Sequence, residues 1–140
     1  MVKRANIVEV PKALFEDEDV STNRGEYIIG YMINGDIEVP SSLFHQYRYY
    51  AIPQSIMVEV KKGRIPLADL TFLFACYYIA FINKRKSIGM DEVFECITRY
   101  WNEFQTGNTV YRFLLTLSNM DRYKRWIKKH EHSSKYYVKY

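Results

Sequence analysis

The sequence predicts a mainly α, α+β fold: a single domain of about four to six helices around a central apolar helix at 67–84, with a small N-terminal β element. Three observations lead there. Residues 67–82 read LADLTFLFACYYIAFI, apolar except for Asp69 and Thr71. Val93, Phe94, Ile97, Tyr100, Trp101 and Phe104 recur at helical spacing,. Near the start, short alternating segments run up to prolines,. A chain of 140 residues sits within the size of one domain,.

The elements follow in order. Val8-Glu9-Val10-Pro11 alternates and then places Leu14-Phe15 beyond the proline, and Ile37-Glu38-Val39-Pro40 repeats the pattern with Leu43-Phe44. Each reads as a short strand followed by a turn of helix that proline opens. Two copies are too few for a solenoid. Ser21 or Thr22 caps a helix to Ile33, closed by Asn34-Gly35-Asp36,. Residues 41–51 read as a helix ending before Pro53, and Ile56 to Lys61 as a further alternating strand,. Pro66 opens the central helix, and Asp91 caps the next,.

Gly107-Asn108 breaks that helix, and Thr109 starts another that turns Val110, Phe113, Leu114 and Leu117 to the core. Ser118 with Asp121 resembles a capping box ahead of a final helix placing Met120, Tyr123 and Ile127 on one face,. The tail, 133–140, reads as frayed or strand-like. Phe72, Phe74, Phe81, Phe94, Trp101 and Phe113 are the aromatic core candidates.

Charge divides the chain. Residues 1–60 hold five basic and nine acidic side chains, and 61–140 hold fifteen and seven, so a net −4 faces a net +8. We therefore distinguish an acidic strand, turn and helix part (1–60), a basic helical part (61–132) and the tail. Such asymmetry points to an acidic partner for the second half or to pairing between the halves.

Composition also excludes. Cys76 and Cys96 alone cannot make a disulfide scaffold and read as reduced, buried thiols,. The basic Met1-Val2-Lys3-Arg4 is followed by acidic residues and not by the apolar stretch of a signal peptide,. The 67–82 run falls short of the roughly 20 residues a membrane span needs, so a soluble core helix and no membrane partner are expected. No Walker loop, GxGxxG, HExxH, GxSxG or CxxC is present,. His130 and His132, two apart, do not make a metal site. No enzyme activity, catalytic residue, metal, cofactor or small-molecule substrate is expected. Small size, basicity and richness in Lys, Ile, Tyr and Asn fit AT-rich genomes, including viruses and mobile elements. The two reduced thiols point to a cytoplasmic location (the host's, if viral).

Two functional expectations result. The first is a small non-enzymatic DNA-binding protein, a regulator or replication accessory. Three helices with short connections in 67–117 have the parts of a helix-turn-helix. Thr106, Asn108 and Thr109 would then open the recognition helix, with Tyr111 and Arg112 on its outer side,. A basic, aromatic C-terminal helix adds Arg122, Lys124, Arg125, Lys128 and Lys129,. The second is a protein-interaction module, an inhibitor, assembly factor, virion component or homo-oligomer, with Tyr47, Arg48, Tyr49 and Tyr50 as its interface,.

Overall fold

The computed structural model describes residues 6–16, 24–35, 49–100 and 109–140. The fold is α+β. Strand β1 (Ile7–Pro11) leads into a single helical turn, α1 (Ala13–Glu16), and α2 spans Arg24–Asn34. Strand β2 (Tyr49–Pro53) runs directly into α3 (Gln54–Lys61), and the central α4 spans Leu67–Asn83. After it come β3 (Ser87–Ile88), α5 (Met90–Tyr100) and α6 (Thr109–Ser118). A 3₁₀ turn at Met120–Tyr123 leads to β4 (Ile127–Lys129) and β5 (Tyr136–Val138).

Helix α4 is the hub. Every residue from Asp69 to Ala80 is buried, as expected of a helix apolar on nearly all sides,. Pro66 stands at its N-cap, where a missing N–H costs nothing,. Its other end is a Schellman closure. Lys84 sits in the left-handed region (φ 55°), its N–H reaching the Phe81 carbonyl and that of Arg85 the Ala80 carbonyl,.

Two antiparallel sheets flank this helix. In the first, β1 pairs with β2 in the register Ile7↔Pro53, Glu9↔Ala51 and Pro11↔Tyr49. Its inward residues Val10, Tyr50 and Ile52 are buried, and the Tyr50 hydroxyl donates to the Phe74 carbonyl at 3.0 Å. In the second sheet the strand order is β3–β5–β4, so the last strand in sequence is the middle one in space. Helix α5 buries Val93, Cys96 and Ile97 on one side. It begins with half a capping box, the Gly89 N–H donating to Glu92 Oε2 at 3.0 Å while Asn83 Nδ2 donates to Oε1 at 3.1 Å,.

The structure corrects the sequence reading in five places. Residues 54–61 form helix α3 and not a strand. Ile56, Met57 and Val60 satisfy helical spacing as well as alternation, and Pro53 sets the entry,. The final helix is also absent: beyond the 3₁₀ turn, residues 127–129 pair as β4 with β5. Cross-strand pairing with Tyr136–Val138 outweighs the helical spacing there,. Phe81 is 39% exposed, one turn from the helix end, with the Lys12 ammonium over its ring. Val110 (56% exposed) and Leu114 (54%) face solvent, because α6 is turned to bury Phe113 and Thr116. The helix expected over 41–51 is also contradicted where it is described, because residues 49–51 belong to β2 and their backbone pairs with β1. The rest of that helix, the second strand-proline copy at 37–44, and Trp101 lie outside the described residues.

Burial gives the core a pH dependence. Loss of solvation pushes both thiols up, Cys76 further by the neighbouring Cys96 and Cys96 further by Glu95,. The folded state therefore keeps thiols neutral at a pH where the unfolded chain, with ordinary values of about 8.5, releases protons. The unfolded state then binds fewer protons, and stability falls as pH rises. Expected is a loss of about 1.4 kcal/mol per pH unit for each thiol above about pH 8.5. Urea titrations between neutral pH and about pH 10 check this. A flat profile, or one restored by neither cysteine-to-alanine variant, contradicts it.

Candidate nucleic-acid interface

The C-terminal sheet sorts its side chains by simple alternation. Ile127 pairs with Val138, and both are buried. One residue along, Lys128 lies across from Tyr137, which in turn lies across from Ser87, so this row faces away from the core. The following row, Lys129–Tyr136–Ile88, turns back inward, with Ile88 fully buried and Tyr136 packed on the core. The His130 N–H then donates to the Lys135 carbonyl at 2.9 Å, continuing the register, and its imidazole lies 5.0 Å from the Tyr137 ring. The outer face thus carries Lys128 and Tyr137, with His130 against Tyr137, and the exposed Lys135 and Lys139 stand just beyond the two ends of β5. At the hairpin an open groove of about 390 Å³ is lined by Lys128, Lys129, His130, Glu131, His132, Ser133 and Tyr137.

Charge around this sheet is one-sided. Residues 84–86 and 120–140 hold ten Lys and Arg against two acidic residues, Asp121 and Glu131. All ten cations are exposed, and none of them is held in an ion pair among the described residues. The Glu131 carboxylate lies 3.9 Å from His132. Lysines in this state keep their hydration and mobility and suit a diffuse anionic surface such as a phosphate backbone.

The sheet is anchored firmly. The Trp126 indole N–H donates to Ser55 Oγ at 2.8 Å, joining the approach to β4 to helix α3. The Tyr77 hydroxyl donates to the Lys139 carbonyl, and the Tyr140 ring packs edge-on against Tyr77 at 5.3 Å. The Val138 N–H donates to the Lys86 carbonyl at 2.9 Å.

Helix α6 is arranged differently. Arg112 Nη2 donates to Asp69 Oδ1 at 2.8 Å, and Thr116 Oγ1 donates to the same oxygen at 2.8 Å. The Tyr123 hydroxyl donates to Oδ2. Burial, and then the hydrogen bond and charge of Asp69, push this phenol up, so it stays protonated as a donor,. One buried carboxylate thus joins α4, α6 and the 3₁₀ turn, and Arg112 is engaged with it.

The other sequence-predicted residues fall as follows. Tyr111 is 69% exposed on α6, beside the exposed apolar Val110, Leu114 and Leu115. Thr109 begins α6, while Thr106 and Asn108 lie outside the described residues, as do Tyr47 and Arg48. Tyr49 is exposed on β2, whereas Tyr50 is a core residue. Arg122, Lys124, Arg125, Lys128 and Lys129 are all exposed, with the Arg125 guanidinium 5.3 Å from the Trp126 ring.

Compared with protein-family models, curated proteins and solved structures, the chain finds no match. Function is therefore read from the surface itself. Among the described residues no helix is long and apolar enough to cross a membrane, and no group of three or more His, Cys, Asp or Glu could hold a metal. The sequence reading marked the basic, aromatic stretch 122–139, Tyr137 included, but did not single out His130, Lys135 or Lys139 as site residues. The signal that finds them is the alternation of Lys135-Tyr136-Tyr137-Val138-Lys139, in which the buried valine fixes the outward set,.

Proposed function

We propose that this protein is a small non-enzymatic nucleic-acid-binding protein whose binding surface is the outer face of the β3–β5–β4 sheet. The observation that carries the reading is the placement of Lys128 across from Tyr137, with His130 against that ring and the exposed Lys135 and Lys139 bounding the strand. Cations beside exposed rings supply phosphate neutralisation and stacking together. The exposed Lys84, Arg85, Lys86, Arg122, Lys124 and Arg125 extend the positive field around it, which accelerates encounter with a polyanion. A DNA-binding regulator or replication accessory, of viral or mobile-element origin or otherwise, fits this reading. A helix-turn-helix version would use α5 and α6, but the pairing of Arg112 with Asp69 favours the sheet as the binding element.

The reading is tested by salt. Binding to an oligonucleotide should weaken linearly on a log–log plot against salt. Replacing Lys128, Lys135 and Lys139 together by alanine should flatten that slope by about 2 to 3, since each phosphate left without its lysine removes roughly 0.7–0.9 from it. All three side chains are exposed, so the circular dichroism spectrum should be unchanged. Absence of binding at low salt, or an unaltered slope in the triple variant, rejects the reading.

A second reading, a protein-interaction module, draws on another surface. Val110, Tyr111, Leu114 and Leu115 expose an apolar side of α6, and such patches serve protein association. Light scattering that finds a monomer at every concentration removes its homo-oligomeric form.

A further inference from the structure

We infer that the nucleic acid held by this face is single-stranded, with an unpaired base in the hairpin groove against Tyr137 and His130. The inference rests on the nucleic-acid reading and adds the class of strand. Three observations support it.

The two rings lie 5.0 Å apart with planes inclined at 57°, a tilted contact that is not face-to-face stacking,. Tyr137 lies on the middle strand, held from both sides by Ser87 and Lys128, and both rings line the open groove of about 390 Å³. Bases inside a duplex are stacked on one another and present only their edges, so a ring in this groove gains a stacking partner only from an unpaired base.

The cations on this face are all lysines: Lys128, Lys135 and Lys139. Reading a duplex in its major groove calls for side chains that grip base edges, Arg or Lys on guanine and Asn or Gln on adenine. Of these the face offers lysine alone. Lysine is a mobile point charge that follows a backbone without reading sequence.

The cations also flank the ring pair. Lys128 lies directly across from Tyr137, while Lys135 and Lys139 stand two residues to either side of it in sequence, just beyond the ends of β5. Neighbouring outward side chains on a strand are separated by about 7 Å. A backbone crossing the face would therefore meet a cation on each side of the base it delivers.

Fluorescence anisotropy on the full chain tests this with a labelled oligothymidylate of about 20 nucleotides, a duplex of equal length and polyglutamate, at about 50 mM salt. Expected is binding of the single strand about tenfold tighter or more than the duplex, with polyglutamate weaker than both. Tyr137→Leu should weaken single-strand binding by about 5- to 100-fold, while Tyr137→Phe retains it. His130→Ala, at an exposed position, should weaken it without any cost in folding. Equal or tighter duplex binding, or full single-strand affinity in both Tyr137→Leu and His130→Ala, overturns the inference and leaves the nucleic-acid reading standing. Polyglutamate bound as tightly as nucleic acid, or no nucleic acid bound at all, overturns both.

Discussion

Asp69→Ala should cost this protein about 3–5 kcal/mol of stability, the range for removing one partner of a buried ion pair. The carboxylate accepts from Arg112, Thr116 and Tyr123 simultaneously, so its loss leaves three donors without an acceptor. Thr116 and Tyr123 are buried, and water cannot replace what they lose,. The Arg112 side chain is 34% exposed and recovers part of its solvation, which places the expected value toward the lower end. Urea denaturation with circular dichroism measures the effect. A double-mutant cycle with Arg112→Met separates the ionic contribution from the hydroxyl donors. Loss below about 1 kcal/mol in Asp69→Ala would mean that the three elements are held by apolar packing alone.

Deleting residues 136–140 is expected to remove cooperative folding. The deleted strand is the middle of its sheet, so β3 and β4 lose their partner together. Val138 leaves a fully buried site, worth about 1.5–3 kcal/mol, and Tyr77 is left without the carbonyl that accepts from its hydroxyl, worth about 1–3 kcal/mol more,. Adding the ladder hydrogen bonds at about 1 kcal/mol each, the loss reaches about 5 kcal/mol or more, comparable to the total stability of many domains. The truncated chain should show no sharp thermal transition and rapid proteolysis. A cooperative transition within a few degrees of the full chain's would show that the helical core stands without this sheet. Oligonucleotide binding should also disappear, because the deletion takes Tyr137 and Lys139 with it.

Local signals accounted for α2, α4, α5, α6 and the first strand, while the pattern at 56–61 fits strand and helix alike and hid α3. The apolar run at 67–82 and Pro66 define α4, and Gly35, in the left-handed region at φ 74°, marks the end of α2. Elsewhere the deciding partner lay outside the local window. Met120, Tyr123 and Ile127 keep helical spacing, yet Ile127 pairs with Val138 and Lys128 with Tyr137. Nothing within a window of one or two turns contains that partner. Arg112 looked free to read bases because Asp69, its acceptor, lies 43 residues earlier. The same limit hid the candidate surface. The basic and aromatic character of 122–139 was plain, but which of those side chains point outward depends on β5 lying between β3 and β4.

That strand order bears on how the surface comes into being during folding. Lys128, His130, Lys135 and Tyr137 belong to one local hairpin, β4 to β5, of the kind that closes in about 1–10 μs. Pairing of β5 with β3 joins Tyr137 to Ser87, fifty residues apart, and must meet a larger loop-closure entropy,. A two-stranded hairpin by itself is only marginally stable in water. The array of cations and rings is therefore drafted early as a transient local structure. It becomes permanent when the long-range strand arrives, so the rate of that step governs when the chain first presents a finished binding face.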